Sequence, residues 1–179
     1  MAMGIASKRL AKELLKIHQG LPPGIVLVSA DDLKEWLLDI RVLDKNPLYQ
    51  DQTFRLKFKF TANYPIEPPE VTFCHLTPTP TPTPTSTSTT SSTTPATPPT
   101  PYRPVPMHPH VYSNGIICLD LLGRSGWSPI QTVESVCMSL QSMLTGNTKN
   151  ERPEGDREFV MHNKTRPRDI NFYYHDDGV

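Results

Sequence analysis

The sequence predicts an α+β fold: an N-terminal helix, a four-stranded antiparallel meander, a loop-rich segment and a central helix. Three observations carry the prediction. Apolar residues recur at helical spacing in two separate stretches, Leu10 to Ile17 and Val133 to Leu144. Phe54, Leu56, Phe58 and Phe60 alternate with Arg55, Lys57 and Lys59, the period of a half-buried strand. A helix followed by a run of strands is the α+β order.

Each element has its own punctuation. In the first helix Leu10, Leu14 and Ile17 share a face, with Lys8, Arg9, Lys12 and Lys16 around the others; Gly20 and the turn Pro22-Pro23-Gly24 end it. Ile25 to Val28 and Glu35 to Val42 read as the first two strands, and Phe54 to Phe60 as the third. Tyr64-Pro-Ile-Glu-Pro-Pro69 is a stiff connection, because proline fixes φ and cannot donate to a ladder. Val71 to Leu76 is the fourth strand. Further on, Trp127-Ser-Pro-Ile130 leads into a helix, with Pro129 suited to its approach. Val133, Val136, Cys137, Leu140, Met143 and Leu144 form its apolar stripe, and Gly146 closes it. A short helix over Asp156 to His162 precedes Pro167, and residues 165–179 read as a mobile tail.

Twenty prolines are the anomaly of composition, and half of them fall between Thr77 and Pro106. That stretch has almost nothing apolar to bury, so it cannot offset its ordering entropy. It reads as a disordered insertion at 77–106 inside one domain spanning 1–179. A linker between two domains is the weaker alternative, since flanks of about 75 residues each would make marginal cores.

Eighteen basic and eighteen acidic residues balance, which is not the basic excess of a nucleic-acid binder. No apolar run approaches the roughly 20 residues of a membrane span. The N-terminus interleaves basic and apolar residues and lacks a signal-peptide core. Three cysteines, Cys74, Cys118 and Cys137, are an odd and sparse set. They read as thiols in a reducing compartment, cytoplasmic or nuclear.

The segment His108-Pro-His-Val-Tyr-Ser-Asn-Gly-Ile-Ile-Cys118-Leu-Asp-Leu-Leu122 puts one cysteine after a turn-rich approach and before an apolar run. Thiolate is the reactive form, and a free thiol has a pKa of about 8.5. Cysteine is also intrinsically nucleophilic. Spacing alone leaves Cys118 equally readable as a thiol filling an apolar run. Cys137, on the helical stripe, and Cys74, inside a strand, read as core thiols. His108, His110 and Cys118 match no standard zinc spacing, so no metal is expected. No protease signature surrounds the cysteine either.

These segments together resemble the ubiquitin-conjugating enzyme family. The resemblance rests, in order, on the basic first helix, Tyr64-Pro65-Ile66 with Pro68-Pro69, His108-Pro109, Asn114-Gly115-Ile116-Ile117-Cys118-Leu119, and Trp127-Ser128-Pro129. It covers nearly the whole chain except the insertion. The third place of the usual His-Pro-Asn motif is His110 here, and Met107 stands where Tyr is common. The run from His108 to Gly115, with the closing Tyr174-His175-Asp176-Asp177, resembles the W-type branch, which attaches ubiquitin to protein N-terminal α-amines.

The resemblance implies the conjugating-enzyme core and a cycle. An activating enzyme, which uses the ATP, passes ubiquitin to Cys118 as a thioester, and a target amine then attacks it. No bound cofactor is implied. His110 would take the loop and oxyanion role of the usual Asn; a histidine can donate a hydrogen bond and, unlike asparagine, carry a charge. Asn114 would shape the loop. Asp120 reads either as a contact for ubiquitin or the amine, or as a solvated loop acid. Glu151 is nearest by position to the acidic gate of lysine-directed relatives. Lys8, Arg9, Lys12 and Lys16 would dock the activating enzyme and a ligase, though by charge alone they are a solvated helix face. Ile66 with Ser128, Pro129 and Ile130 would complete the surface for a RING or U-box ligase. Target proteins would be those with flexible N-termini. A non-catalytic ubiquitin-binding scaffold of this fold, and a carrier of another ubiquitin-like modifier, remain open beside this reading.

Overall fold

Helix α1 spans Ile5–Gln19 in the computed structural model, which describes residues 4–77 and 102–172. Its buried positions are Ala6, Leu10, Glu13 and Ile17, an apolar stripe with one carboxylate set into it. Strands β1 (Ile25–Ser29), β2 (Glu35–Ile40), β3 (Phe54–Lys59) and β4 (Glu70–Cys74) form one antiparallel sheet in the order β1-β2-β3-β4. The register lines up Trp36, Phe58 and Val71, and beside them Leu27, Leu38, Leu56 and Phe73, on the inner face. Helix α2 (Val133–Thr145) contributes Val136, Cys137, Leu140 and Leu144, all fully buried, to the same core as α1 and those rows. Helix α3 (Asp156–His162) is short and buries no residue fully. Among the described residues no helix is long and apolar enough to cross a membrane.

Helix α2 starts where its sequence can cap it. The Thr132 hydroxyl accepts the Ser135 N–H at 3.1 Å, and the Ser135 hydroxyl accepts the Thr132 N–H at 2.9 Å. This reciprocal pair satisfies two backbone donors.

The outer face of the sheet departs from simple alternation. Arg55, expected to be solvated, is buried beside buried Asp39 and donates to both of its carboxylate oxygens. Arg103 joins them, donating from Nε and Nη2 to the same carboxylate at 3.1 and 3.0 Å. Cys74 lies in this row, paired in register with Arg55, and is half-buried. It is therefore not a core thiol. Burial pushes its pKa up, and Lys57 and Arg55 partly offset that.

Arg103 also marks where the Thr/Pro-rich stretch rejoins the body. Leu76 and Arg103 exchange backbone hydrogen bonds of 2.8 and 3.0 Å, Val105 packs against the core and Pro106 is buried. Residues 102–106, which share the proline-rich composition of the insertion, are thus folded against the domain. The same holds for part of the expected tail. Pro167–Asp169 forms a 3-10 turn in which Arg168 is buried, with its Nη1 3.6 Å from a Glu67 carboxylate oxygen. The remainder of the insertion, 78–101, and the aromatic and acidic end, 173–179, lie outside the described residues.

Candidate active site

A tight hairpin carries the cysteine. The Cys118 N–H donates to the His110 carbonyl at 2.8 Å, Val111 pairs with Ile117, and the Tyr112 N–H donates to the Ile116 carbonyl at 2.9 Å. At the tip, the Asn114 side-chain oxygen accepts the Ile116 N–H at 3.1 Å, an Asx-type turn contact. Gly115, at φ +89°, accepts the Phe73 N–H through its carbonyl at 2.9 Å and so hooks the tip onto β4.

Strand alternation then assigns the faces. Val111 and Ile117 are buried in the core. His110 and Cys118 are paired across the hairpin on the other side, with His110 exposed and Cys118 half-buried. Tyr112 is on this side as well: its phenol pKa is raised by burial and then by the charge of Cys118. Asp120 opens a short 3-10 turn, Asp120–Leu122, and is exposed. The structure therefore brings Cys118, His110 and Asn114 into one hairpin, with Asp120 just after it.

His108 supports the hairpin from below. It is buried, and its Nδ1 accepts the His110 N–H at 2.9 Å, which requires that nitrogen to be unprotonated. Burial, then the neighbouring His110, depresses its pKa to about 4. The unfolded chain takes up a proton near pH 6.5 that the folded imidazole refuses. Stability is thus unaffected above pH 6.5 and falls as the pH drops from there toward 4. A change from 6.5 to about 4 corresponds to roughly 3 kcal/mol. Urea titrations across this range should show that loss, and His108→Asn should flatten it; an unchanged pH dependence in the variant would contradict the assignment.

Several supports have no local signature in the sequence. The Tyr49 hydroxyl donates to the Met107 carbonyl at 2.6 Å and accepts from the Asn147 amide at 2.5 Å. Arg152 donates to the carbonyls of Pro106, Val111 and Val105 at 2.6, 2.9 and 3.1 Å. Asp156, at the start of α3, accepts the Ser113 N–H at 2.7 Å. Phe159 stacks on Tyr112 with ring centres 3.9 Å apart. Glu151 is exposed on the strip after α2 and pairs with Lys149 at 3.7 Å.

The expected docking residues divide into two groups. Lys8, Lys12 and Lys16 are exposed, although Lys16 pairs with Glu134 at 3.0 Å. Arg9 is instead a pin between elements: it donates to Glu13 at 2.5 Å, to the Pro129 carbonyl at 3.1 Å and to the Gln131 carbonyl at 2.7 Å. Its bonds place the Ser128-Pro129-Ile130 turn against α1. That turn is half-buried at Ser128 and exposed at Pro129, and Ile130 and Ile66 are 82% and 69% exposed. Trp127 anchors both neighbourhoods by donating from Nε1 to the Pro65 carbonyl at 2.8 Å. A groove of about 780 Å³, lined by Lys12, Leu15, Lys16 and Ile130, runs between α1 and the turn.

A family model described as ubiquitin-conjugating enzyme matches residues 9–170. The chain belongs to the ubiquitin-conjugating enzyme family. Within the family it belongs to the W type. It is 37% identical to the probable ubiquitin-conjugating enzyme E2 W of Dictyostelium discoideum, over 97% of each chain. It is 33% identical to the probable ubiquitin-conjugating enzyme E2 W-A of Danio rerio, over 98% of this chain and 99% of the relative. Among solved structures, ubiquitin-conjugating enzyme E2 UbcA1 from Agrocybe aegerita superposes with a TM-score of 0.73 at 38% identity, covering 92% of this chain and 99% of that one. Ubiquitin-conjugating enzymes are transferases, and the meander, hairpin and central helix described above are the family's fold.

Proposed function

We propose that Cys118 accepts ubiquitin as a thioester and that the chain passes it to the α-amine at a protein N-terminus. The observation that carries this reading is the hairpin that sets exposed His110 across from half-buried Cys118. In the first step the Cys118 thiolate attacks the thioester carbonyl of ubiquitin held by an activating enzyme, and the activating enzyme's thiolate leaves. ATP is consumed upstream, by the activating enzyme, and neither step calls for a cofactor on this chain. In the second step a neutral amine attacks the new thioester carbonyl, the C–S bond breaks, Cys118 leaves as thiolate, and the nitrogen releases a proton to form the amide.

Neutral amine is the scarce reactant. With pKa values of about 8 for an α-amine and 10.4 for lysine, roughly two-hundredfold more α-amine is unprotonated at pH 7. An α-amine therefore needs little help in losing its proton, and the site shows an exposed imidazole where lysine-directed relatives carry asparagine. His110 would stabilise the oxyanion, a type of contact worth about 3 to 4 kcal/mol where measured. Exposed Asp120 would meet ubiquitin or the incoming amine. Exposed Glu151, on the strip after α2, would be the gate acid. Lys8, Lys12 and Lys16, with Ile66, Pro129 and Ile130, suit an activating enzyme and a RING or U-box ligase, since exposed apolar residues beside a cationic groove make anchor points. A cytoplasmic or nuclear setting follows from these partners.

Incubation with activating enzyme, ATP and ubiquitin should give a thiol-reducible adduct that is absent from Cys118→Ala. Acetylating the N-terminus of a target protein should then abolish transfer. No adduct in the wild type would reject the carrier reading, and persistent modification of lysines would reject the α-amine preference.

A further inference from the structure

We infer that Arg152 and Asp156 are positioning residues for the amine step, setting the arm of the hairpin that faces Cys118. This rests on the proposed carrier role of Cys118. The chain reaches the site through Pro104, Pro106 and Pro109, residues that have no N–H to donate. Carbonyls at 105, 106 and 111 converge there, and one guanidinium satisfies all three, from Nη1 to Pro106 and Val111 and from Nη2 to Val105. Arg152 thereby ties the chain where it enters to the chain just after His110, closing the 106–111 loop like a staple. The planar fork matters, because its two nitrogens reach acceptors that a single ammonium cannot span in the same geometry.

Asp156 fixes the other end of the same arm by accepting the Ser113 N–H at 2.7 Å. Phe159, one turn further along α3, lies flat on Tyr112 between those two points. Carbonyl 111, ring 112 and N–H 113 are thus held by residues 152, 159 and 156, while Cys118 stands on the opposite arm. Arg152 and Asp156 act through the arm, by the backbone groups of residues 105, 106, 111 and 113 that they hold. Thiol exchange is nearly thermoneutral and uses an anionic nucleophile. Both steps pass through a tetrahedral oxyanion, but aminolysis starts from a neutral, weaker nucleophile that must also shed a proton, and so depends more on groups held in place.

The test separates the two steps in single-turnover assays with the full chain. Arg152→Ala and Asp156→Ala should form the Cys118 adduct within about threefold of wild type. Discharge of the adduct to hydroxylamine, and to a peptide with a free N-terminus, should slow by about ten- to a hundredfold, a penalty typical of small misplacements. Asp156→Asn retains an acceptor oxygen and should discharge at near wild-type rate. Arg152→Lys should remain slow. Discharge at wild-type rates in both alanine variants would overturn the inference. So would loss of charging and discharge in equal proportion, or failure of Asp156→Asn to rescue while its melting temperature matches wild type. Hydroxylamine reads the arm whichever amine is preferred, so slow discharge of the peptide by the wild type alone would count against the α-amine preference and not against these residues.

Discussion

Gly115→Ala is expected to lower stability by about 3 kcal/mol or more and to cost most of the charging of Cys118. A Cβ at this position would lie 1.9 Å from the Phe73 carbonyl oxygen and 2.9 Å from its carbon. The obstacle is backbone of β4, which cannot swing aside as a side chain can. The residue also sits at φ +89°, a region that L side chains rarely adopt. Relief of the overlap requires lifting the hairpin tip from the strand and breaking the 2.9 Å bond from the Phe73 N–H to the Gly115 carbonyl. Strain at a positive-φ site alone costs about 1 kcal/mol or more, and displacement of the tip adds the rest. For a chain of this size that means a melting temperature lower by roughly 6 to 12 °C. Gly146→Ala is the matched control, since its Cβ would find its nearest neighbour at an ordinary 3.6 Å. A melting temperature for Gly115→Ala within 2 °C of the Gly146→Ala value would show that the tip is not held as described.

What the sequence made legible was periodic or local. The alternating run at Phe54 to Phe60 locates β3 (Phe54–Lys59), and the stripe from Val133 to Leu144 locates α2 (Val133–Thr145). Asn114-Gly115 predicts a turn because both residue types suit one, and the turn is there. What was missed depends on partners far apart in the chain. Arg55 looked solvated because alternation describes one strand and says nothing of Arg103 returning across the sheet. Arg152 and Asp156 are more than 40 residues from the atoms they hold, with no spacing rule to connect them. The insertion boundary was misplaced because proline content cannot distinguish a folded proline-rich strip at 102–106 from an unfolded one. Glu13 did carry a signal. It follows Leu10 by three residues and so falls on the buried stripe of α1, where an acid is unexpected without partners.

Those partners make Glu13→Ala the other large expected effect. The carboxylate is buried and accepts from Arg9 Nε at 2.5 Å, from the Tyr64 hydroxyl at 2.7 Å and from the Val133 N–H at 2.9 Å. One side chain therefore joins α1, the Pro-rich connection before β4 and the first turn of α2. Alanine leaves the Arg9 Nε–H, a phenol and a helix N-terminal N–H without this acceptor. Breaking a buried charged pair in this way typically costs about 3 to 5 kcal/mol. Because desolvating the buried carboxylate and the half-buried guanidinium is itself costly, removing both should hurt less than removing one. Glu13→Leu with Arg9→Met is accordingly expected to be more stable than the sum of its single variants by about 1 to 3 kcal/mol, measured as a double-mutant cycle in urea. Additive single variants would mean that the three donors are satisfied elsewhere and that this carboxylate does not hold the Ser128-Pro129-Ile130 turn in place.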